Sequence, residues 1–236
     1  MLIEGVESTL PLDQMAASMA EKWAHHTAEE LIDRVFQLNR QVSIVSSFGT
    51  EAAVLLALVA DRNPAAEIVF IDTLRHFGET HRYREALIKL LGLTNVRVVR
   101  PSPAPLLKDD PDEMLFKRNP DLCCEIRKVE PLRNALLATE IWMTGRKRFQ
   151  SETRAELKKI ELAGGRIKVN PLTDWSQSEI VDAFRARRLP AHPLEADGFL
   201  SIGCMPCTRR VAPGESHRGG RWEGFDKTEC GIHNDV

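Results

Sequence analysis

The chain lacks any apolar run able to cross a membrane. Its longest, Ala52 to Ala60, is far short of the roughly 20 residues a span requires. The first residues, MLIEGVESTL, lack a basic start followed by an apolar core. No secretory leader is expected, and the cytoplasm is the expected location. Positive charge is not in surplus: 32 Lys and Arg against 34 Asp and Glu give a net charge of −2. That disfavours a nucleic-acid polymer as partner. An even cysteine count is lacking too. Five cysteines in a cytoplasmic chain argue against a disulfide scaffold and leave metal binding, thiol chemistry or inert burial. There is no internal repeat, no Walker sequence and no G-x-G-x-x-G. His25, His26, His76, His81, His192 and His217 show no metal-ligand spacing and are expected on the surface or in loops.

What is present is a regular alternation. Thr27 and Glu30 form a capping box ahead of Leu31, Val35 and Leu38 at helical spacing. VSIVSSF (42–48) predicts a buried strand and EAAVLLALVADRN the helix after it. EIVFID (67–72) predicts a second strand. THRYREALIKLLG predicts a helix with Thr80 as N-cap and Gly92 at its stop. NVRVVRP predicts a third strand, EIWMTG (140–145) a fourth and RIKVNPL a fifth. Between the third and fourth lies a mainly helical stretch in which Pro131 permits a new start. Ser176 and Glu179 box a last helix. This pattern predicts an α/β fold with a doubly wound, mostly parallel sheet. Ligands of such sheets bind at the carboxyl ends of the strands, here SSFGTE, IDT and MTGRKR. Beyond Arg188 the pattern dissolves into Gly, Pro and charge, as in a mobile tail, yet three of the five cysteines lie there.

DLCCEIRK places Cys123 beside Cys124. Neighbouring Cα atoms are about 3.8 Å apart, too close for ordinary disulfide geometry near 5.5 Å. CMPC adds Cys204 and Cys207, and four thiolates suggest zinc or an iron–sulfur cluster. Vicinal helical side chains diverge by about 100°, which fits separate irons better than one zinc. A thioredoxin-like redox pair at CMPC is disfavoured by its position. The fifth, Cys230 in KTECGIH, sits among Lys227, His233 and the tail arginines, a setting that favours thiolate. It reads either as a nucleophile on a closing segment or as an idle terminal cysteine.

Cations cluster at Arg146, Lys147, Arg148 and Arg154, and again at Arg209, Arg210, Arg218 and Arg221. Guanidinium forks match sulfate and phosphate oxygens, although such runs are commonly solvated loops. Ser46, Ser47, Gly49 and the following helix start could face an anion, and Asp72 and Thr73 a ribose or a turn.

In this order, SFGTE, IDT-x-R-H-F, CCEIRK, TGRKRFQSETR, CMPCTR, GRW and KTECGIH resemble the APS/PAPS reductase family. Within it they resemble the thioredoxin-dependent, [4Fe-4S]-containing assimilatory adenylyl-sulfate (APS) reductases. The resemblance runs from about Val42 to the end. It implies an adenine-nucleotide alpha-hydrolase-like, Rossmann-like fold. It also implies a segment plan of 1–41 helical, 42–200 nucleotide-binding and 201–236 carrying CxxC and the catalytic tail, within one domain overall. It implies that Cys123, Cys124, Cys204 and Cys207 hold a [4Fe-4S] cluster of structural and electrostatic role. Cys230 would attack the sulfur of APS, releasing AMP and forming S-sulfocysteine, and thioredoxin (or glutaredoxin) would release sulfite. Lys128, Arg154, Arg218, Arg221 and His233 match substrate-binding positions, and Ser46, Gly49 and Thr50 lie in the matching pyrophosphate loop. Arg146 and Asp72 complete the expected substrate set. SSFGTEAA departs from the SGGxDS of ATP-splitting relatives. Preference for 3′-phosphoadenylyl sulfate (PAPS), an iron–sulfur tRNA sulfurtransferase and a redox sensor are the alternatives. Homo-oligomer formation stays open.

Overall fold

Residues 10–233 are described in this computed structural model, so the first nine residues of the expected 1–41 segment and the last three of the expected 201–236 segment lie outside them. Among the described residues two helices come first, α1 (Leu12–Lys22) and α2 (Ala28–Gln37). α2 begins at the expected box: Glu30 N donates to Thr27 Oγ1 at 3.2 Å and Thr27 N to Glu30 Oε2 at 2.8 Å. Two N–H groups that a helix start leaves open are thereby satisfied.

Then come β1 (Val42–Val45), α3 (Ala52–Ala60), β2 (Glu67–Ile71), α4 (Gly78–Leu91) and β3 (Val96–Val99). Short helices α5 (Pro103–Asp109), α6 (Leu115–Arg118) and α7 (Pro120–Cys124) follow. A π-helical turn (Glu125–Val129) joins α7 to α8 (Glu130–Ala135). The last elements are β4 (Ile141–Thr144), β5 (Ile160–Ala163), β6 (Arg166–Val169) and α9 (Gln177–Ala186).

The six strands lie in the order β3-β2-β1-β4-β6-β5, all parallel except the β5–β6 pair. Cores form on both faces, as expected. One includes α2, α3 and Phe70, and the other joins Val45, Val69 and Trp142 to Val129 and Leu132. α3 is apolar all round, and Ala53 to Val59 are all buried. Such a helix needs cover on every side, which α2, α4 and α9 help to supply. Among the described residues no helix is long and apolar enough to cross a membrane.

The strand order reverses between β1 and β4. Val45 pairs with both Val69 and Thr144, so the loops after β1, β2 and β4 leave the sheet at one level. That edge is the switch point where open parallel sheets bind ligands.

Two expectations need correction. β5 was not foreseen: Gly164 and Gly165, at φ 57° and 74°, turn the chain into a β5–β6 hairpin. Thr80 is not an N-cap. α4 starts at Gly78, and the buried Thr80 meets His192 Nε2 at 3.2 Å through its hydroxyl. Gly92 does stop the helix, at φ 63°.

Beyond α9 regular structure is sparse, but the chain is anchored. The 3₁₀ turn Met205–Cys207 is flanked by isolated bridges of His76 with Cys204 and of Thr208 with Arg221.

Candidate active site

A cavity of about 220 Å³ opens at the switch point. Its floor is the loop after β1. There Gly49 N donates to Ser47 Oγ at 3.3 Å and Phe48 N to Ser46 Oγ at 3.2 Å, with Phe48 in the left-handed region at φ 48°. Ser46, Gly49 and Thr50 all face the cavity. Glu51, next in line, accepts from Lys147 Nζ at 2.7 Å and Gln150 Nε2 at 2.6 Å. Burial drives the Glu51 carboxyl up and Lys147 pulls it down, with a net lowering. Burial lowers Lys147, against the pull of Glu51. This pair fastens the β1 loop to the β4 loop.

The second wall comes from β4 and the turns after it. Arg146 reaches the cavity and donates to Glu161 Oε1 at 2.9 Å. Arg154 is 8% exposed and also lines the cavity. Arg148 turns away and pairs with Asp174.

The third wall is the C-terminal segment folded back over the opening. Arg218, Arg221, Glu229, Cys230 and His233 all line the cavity. Arg154 donates through Nε and Nη2 to the two Glu229 oxygens, at 2.7 and 2.9 Å. Arg218 donates to Thr228 O at 2.7 Å, and burial lowers its pKa to about 10 against the pull of Glu229. Lys227 pairs with Asp121 at the start of α7. Lys168 donates to His233 O at 2.7 Å, while the His233 ring stacks on Trp142 with centroids 6.1 Å apart. Burial, then Arg146 and Arg154, drives His233 well below the ordinary histidine range. These anchors seat Cys230 at the cavity wall.

Trp222 organises the remaining cations. Arg221 lies 4.4 Å from its ring centroid, Arg218 and Lys227 5.8 Å, and Lys128 6.0 Å. A ring face attracts cations, most strongly where water is excluded, and Trp222 is 3% exposed. Lys128, on the π-helical turn, is buried. Burial pushes its ammonium down, but the Cys204, Cys230 and Cys124 sulfurs outweigh that and raise it. Cys204 is lowered overall: burial opposes, while Lys128 and a contact with Thr73 Oγ1 at 3.2 Å favour the thiolate.

The four-cysteine cluster expectation does not hold. Among the described residues one group of three or more metal-ligating side chains brings its donor atoms within 4.8 Å of one another, and it is Asp72, His76 and His81. Cys123, Cys124, Cys204 and Cys207 form no such group. They affect one another electrostatically, and burial first, then neighbouring sulfurs, pushes Cys123 and Cys207 to about 11. Cys204 contacts Thr73, and Cys124 lies 3.8 Å from Lys128 Nζ. The donor set therefore does not fit a [4Fe-4S] cluster, and the chemistry considered below does not pass through one.

Asp72 is turned away from the cavity, accepting from Arg100 Nε at 3.1 Å and Leu74 N at 3.1 Å. His76 and His217, expected in loops without a role, line the cavity. His192, expected on the surface or in a loop, does lie in a loop but is 1% exposed. Glu229 and Trp222 were missed as site residues. Their signal was position, directly before Cys230 and within the arginine-rich tail.

Comparison with known proteins places this geometry. The phosphoadenosine phosphosulfate reductase domain family matches residues 41–210. An adenosine 5′-phosphosulfate reductase of Mesorhizobium japonicum is 46% identical over 220 residues, covering 92% of this chain and 87% of its own. One from Chelativorans is 45% identical over 228 residues, covering 94% and 93%. A phosphoadenylyl-sulfate reductase structure from Candida auris superposes with TM-score 0.70 at 24% identity, covering 84% of this chain and 97% of its own. That last likeness concerns the fold.

Proposed function

Since the chain belongs to the phosphoadenosine phosphosulfate reductase domain family, we propose that it reduces adenylyl sulfate to sulfite and AMP. Thioredoxin, or glutaredoxin, supplies the electrons. The observation that carries this reading is Cys230 on the wall of a strand-end cavity that also presents Lys128, Arg154, Arg218 and Arg221.

The Cys230 thiolate attacks the sulfur of adenylyl sulfate. A sulfur–sulfur bond forms, the sulfur–oxygen bond to the phosphate breaks, and AMP leaves with that bonding pair. S-sulfocysteine remains. One thiolate of the donor then attacks the Cys230 sulfur, and sulfite leaves with the electrons of the bond to sulfur. The donor's second thiolate closes its own disulfide and returns Cys230 as thiolate. Two electrons pass from dithiol to sulfur, and no other redox group is needed.

Attack by an anion on an anionic sulfonyl group meets repulsion. Fixed cations in a dry site offset it at no reorganisation cost. Lys128, Arg218 and Arg221 around Trp222 supply such charge near Cys230. Arg154 and Arg146 suit the phosphate that departs, and Ser46, Gly49 and Thr50 line the loop expected beneath the nucleotide. His233, held neutral on Trp142, fixes the end of the tail. On this reading 42–200 forms the nucleotide-binding part and 201–236 the segment that brings the nucleophile.

With adenylyl sulfate and no thiol donor, AMP should appear as a single burst equal to the enzyme present, without sulfite. The Cys230→Ser protein should give none. A burst in that variant, or steady turnover without a thiol, overturns the reading. The family's own description favours the 3′-phosphorylated nucleotide, whereas the relatives at 46% and 45% identity favour adenylyl sulfate. Relative rates of sulfite release from the two nucleotides decide between them.

A further inference from the structure

Asp72, His76 and His81 lie around the turn from β2 into α4. Asp72 Oδ1 is 3.8 Å from His76 Nδ1 and 4.0 Å from His81 Nε2. All three donors fall within 4.8 Å of one another. A point equidistant from them lies about 2.5 Å or less from each, within a few tenths of an ångström of zinc–nitrogen and zinc–oxygen bond lengths.

We propose that these three side chains form a site for a divalent transition-metal ion of the zinc type, held by two imidazoles and one carboxylate. His76 Nδ1 is buried without a hydrogen-bond partner, on a side chain 7% exposed. At 3.8 Å it is beyond hydrogen-bond reach of Asp72. A buried nitrogen left open is costly unless something fills the gap, and an ion between the rings does so. The supporting contacts orient the donors. Arg100 takes Asp72 Oδ2, and Leu74 N donates to Oδ1, the oxygen that also lies nearest the two histidines. The Phe70 ring contacts both imidazoles, with centroids 5.1 Å from His76 and 6.1 Å from His81. Metal-ligating groups are commonly held by such outer contacts. His81, 35% exposed, gives the ion access from solvent.

The chemistry of the set selects the ion. Imidazoles with one carboxylate suit zinc, cobalt or nickel over calcium or magnesium, which prefer oxygen. The cation of Arg100 beside the carboxylate weakens the attraction for an ion. Binding would close the turn 72–81, whose His76 backbone bridges to Cys204. His76 also borders the cavity that holds Cys230, but the ion site rests on the three donors alone and not on the proposed sulfur chemistry.

Cobalt(II) titrated into the full chain is the probe. The expected result is one equivalent bound, with visible d–d bands and no thiolate-to-cobalt charge-transfer band in the near ultraviolet. His81→Leu and His76→Asn should each lose these bands, and Cys207→Ser should keep them. Zinc should raise the melting temperature of the wild type and leave His81→Leu unchanged. Absence of cobalt bands, a sulfur charge-transfer band, or bands that survive His81→Leu would each overturn the site.

Discussion

Glu229 gives both of its carboxylate oxygens to Arg154, at 2.7 and 2.9 Å, one residue before Cys230. The tail thus carries an internal anion that occupies an arginine assigned above to the substrate phosphate. It also seats Cys230. Glu229 also pairs with Arg218 at 3.4 Å, so on the proposed function substrate and Glu229 would share both arginines, and nucleotide arrival and tail position would be linked by charge.

Glu229→Gln keeps the shape and removes the charge. Competition for the arginines is relieved, so KM for the nucleotide should fall. The clasp on the tail weakens, so kcat should fall about 10-fold, or about 1.4 kcal/mol of barrier. Steady-state sulfite release measures both, and unchanged parameters would show that the ion pair is structural only.

Gly203 has no room for a methyl group, since a Cβ there would come within 2.6 Å of Arg221 Cζ. Its own backbone conformation is ordinary, so Gly203→Ala acts by displacing the guanidinium from the Trp222 face. We expect a fall in kcat/KM of at least about 10-fold with an unchanged melting curve. Full activity would mean that Arg221 can work from another position.

Lys128→Met replaces a buried ammonium facing three sulfurs with a side chain of similar length. Loss of one preorganised electrostatic group commonly costs about 10²-fold in kcat. That loss is expected here in a folded protein, as judged by circular dichroism. A wild-type rate would remove Lys128 from the chemistry.

His192 joins the start of the tail to α4 through Thr80 and meets Tyr83 edge to face, with ring centroids 4.9 Å apart. Burial lowers its pKa to about 4, so it is neutral in the fold. Its folded pKa lies below the ordinary 6.5, so its contribution is whole above 6.5 and is lost as pH falls towards 4. The stability advantage of wild type over His192→Gln should therefore shrink between pH 7 and 4.5 in urea melts. A constant difference would contradict this.

Local signals carried much of the fold. The boxes Thr27–Glu30 and Ser176–Glu179 and the stop at Gly92 reflect contacts made within a few residues, so the sequence displays them. The apolar strands were visible because their burial on both faces demands continuous apolar runs. β5 escaped because a four-residue edge strand with Glu161 in it has little periodicity of its own. The roles of His192 and Thr80 were hidden because they meet across 112 residues. The cysteine reading went wrong for a related reason. Spacing shows that two pairs exist, but convergence of their sulfurs depends on how α7 and the 205–207 turn face each other.

The central claim is that Cys230 itself accepts the sulfonate. Peptide mapping by mass spectrometry, after mixing the protein with adenylyl sulfate in the absence of any thiol donor, tests this most directly. The account predicts one sulfonate on the peptide containing Cys230, removed by reduced thioredoxin with release of sulfite. An unmodified Cys230, or a sulfonate carried by Cys123, Cys124, Cys204 or Cys207, would contradict it.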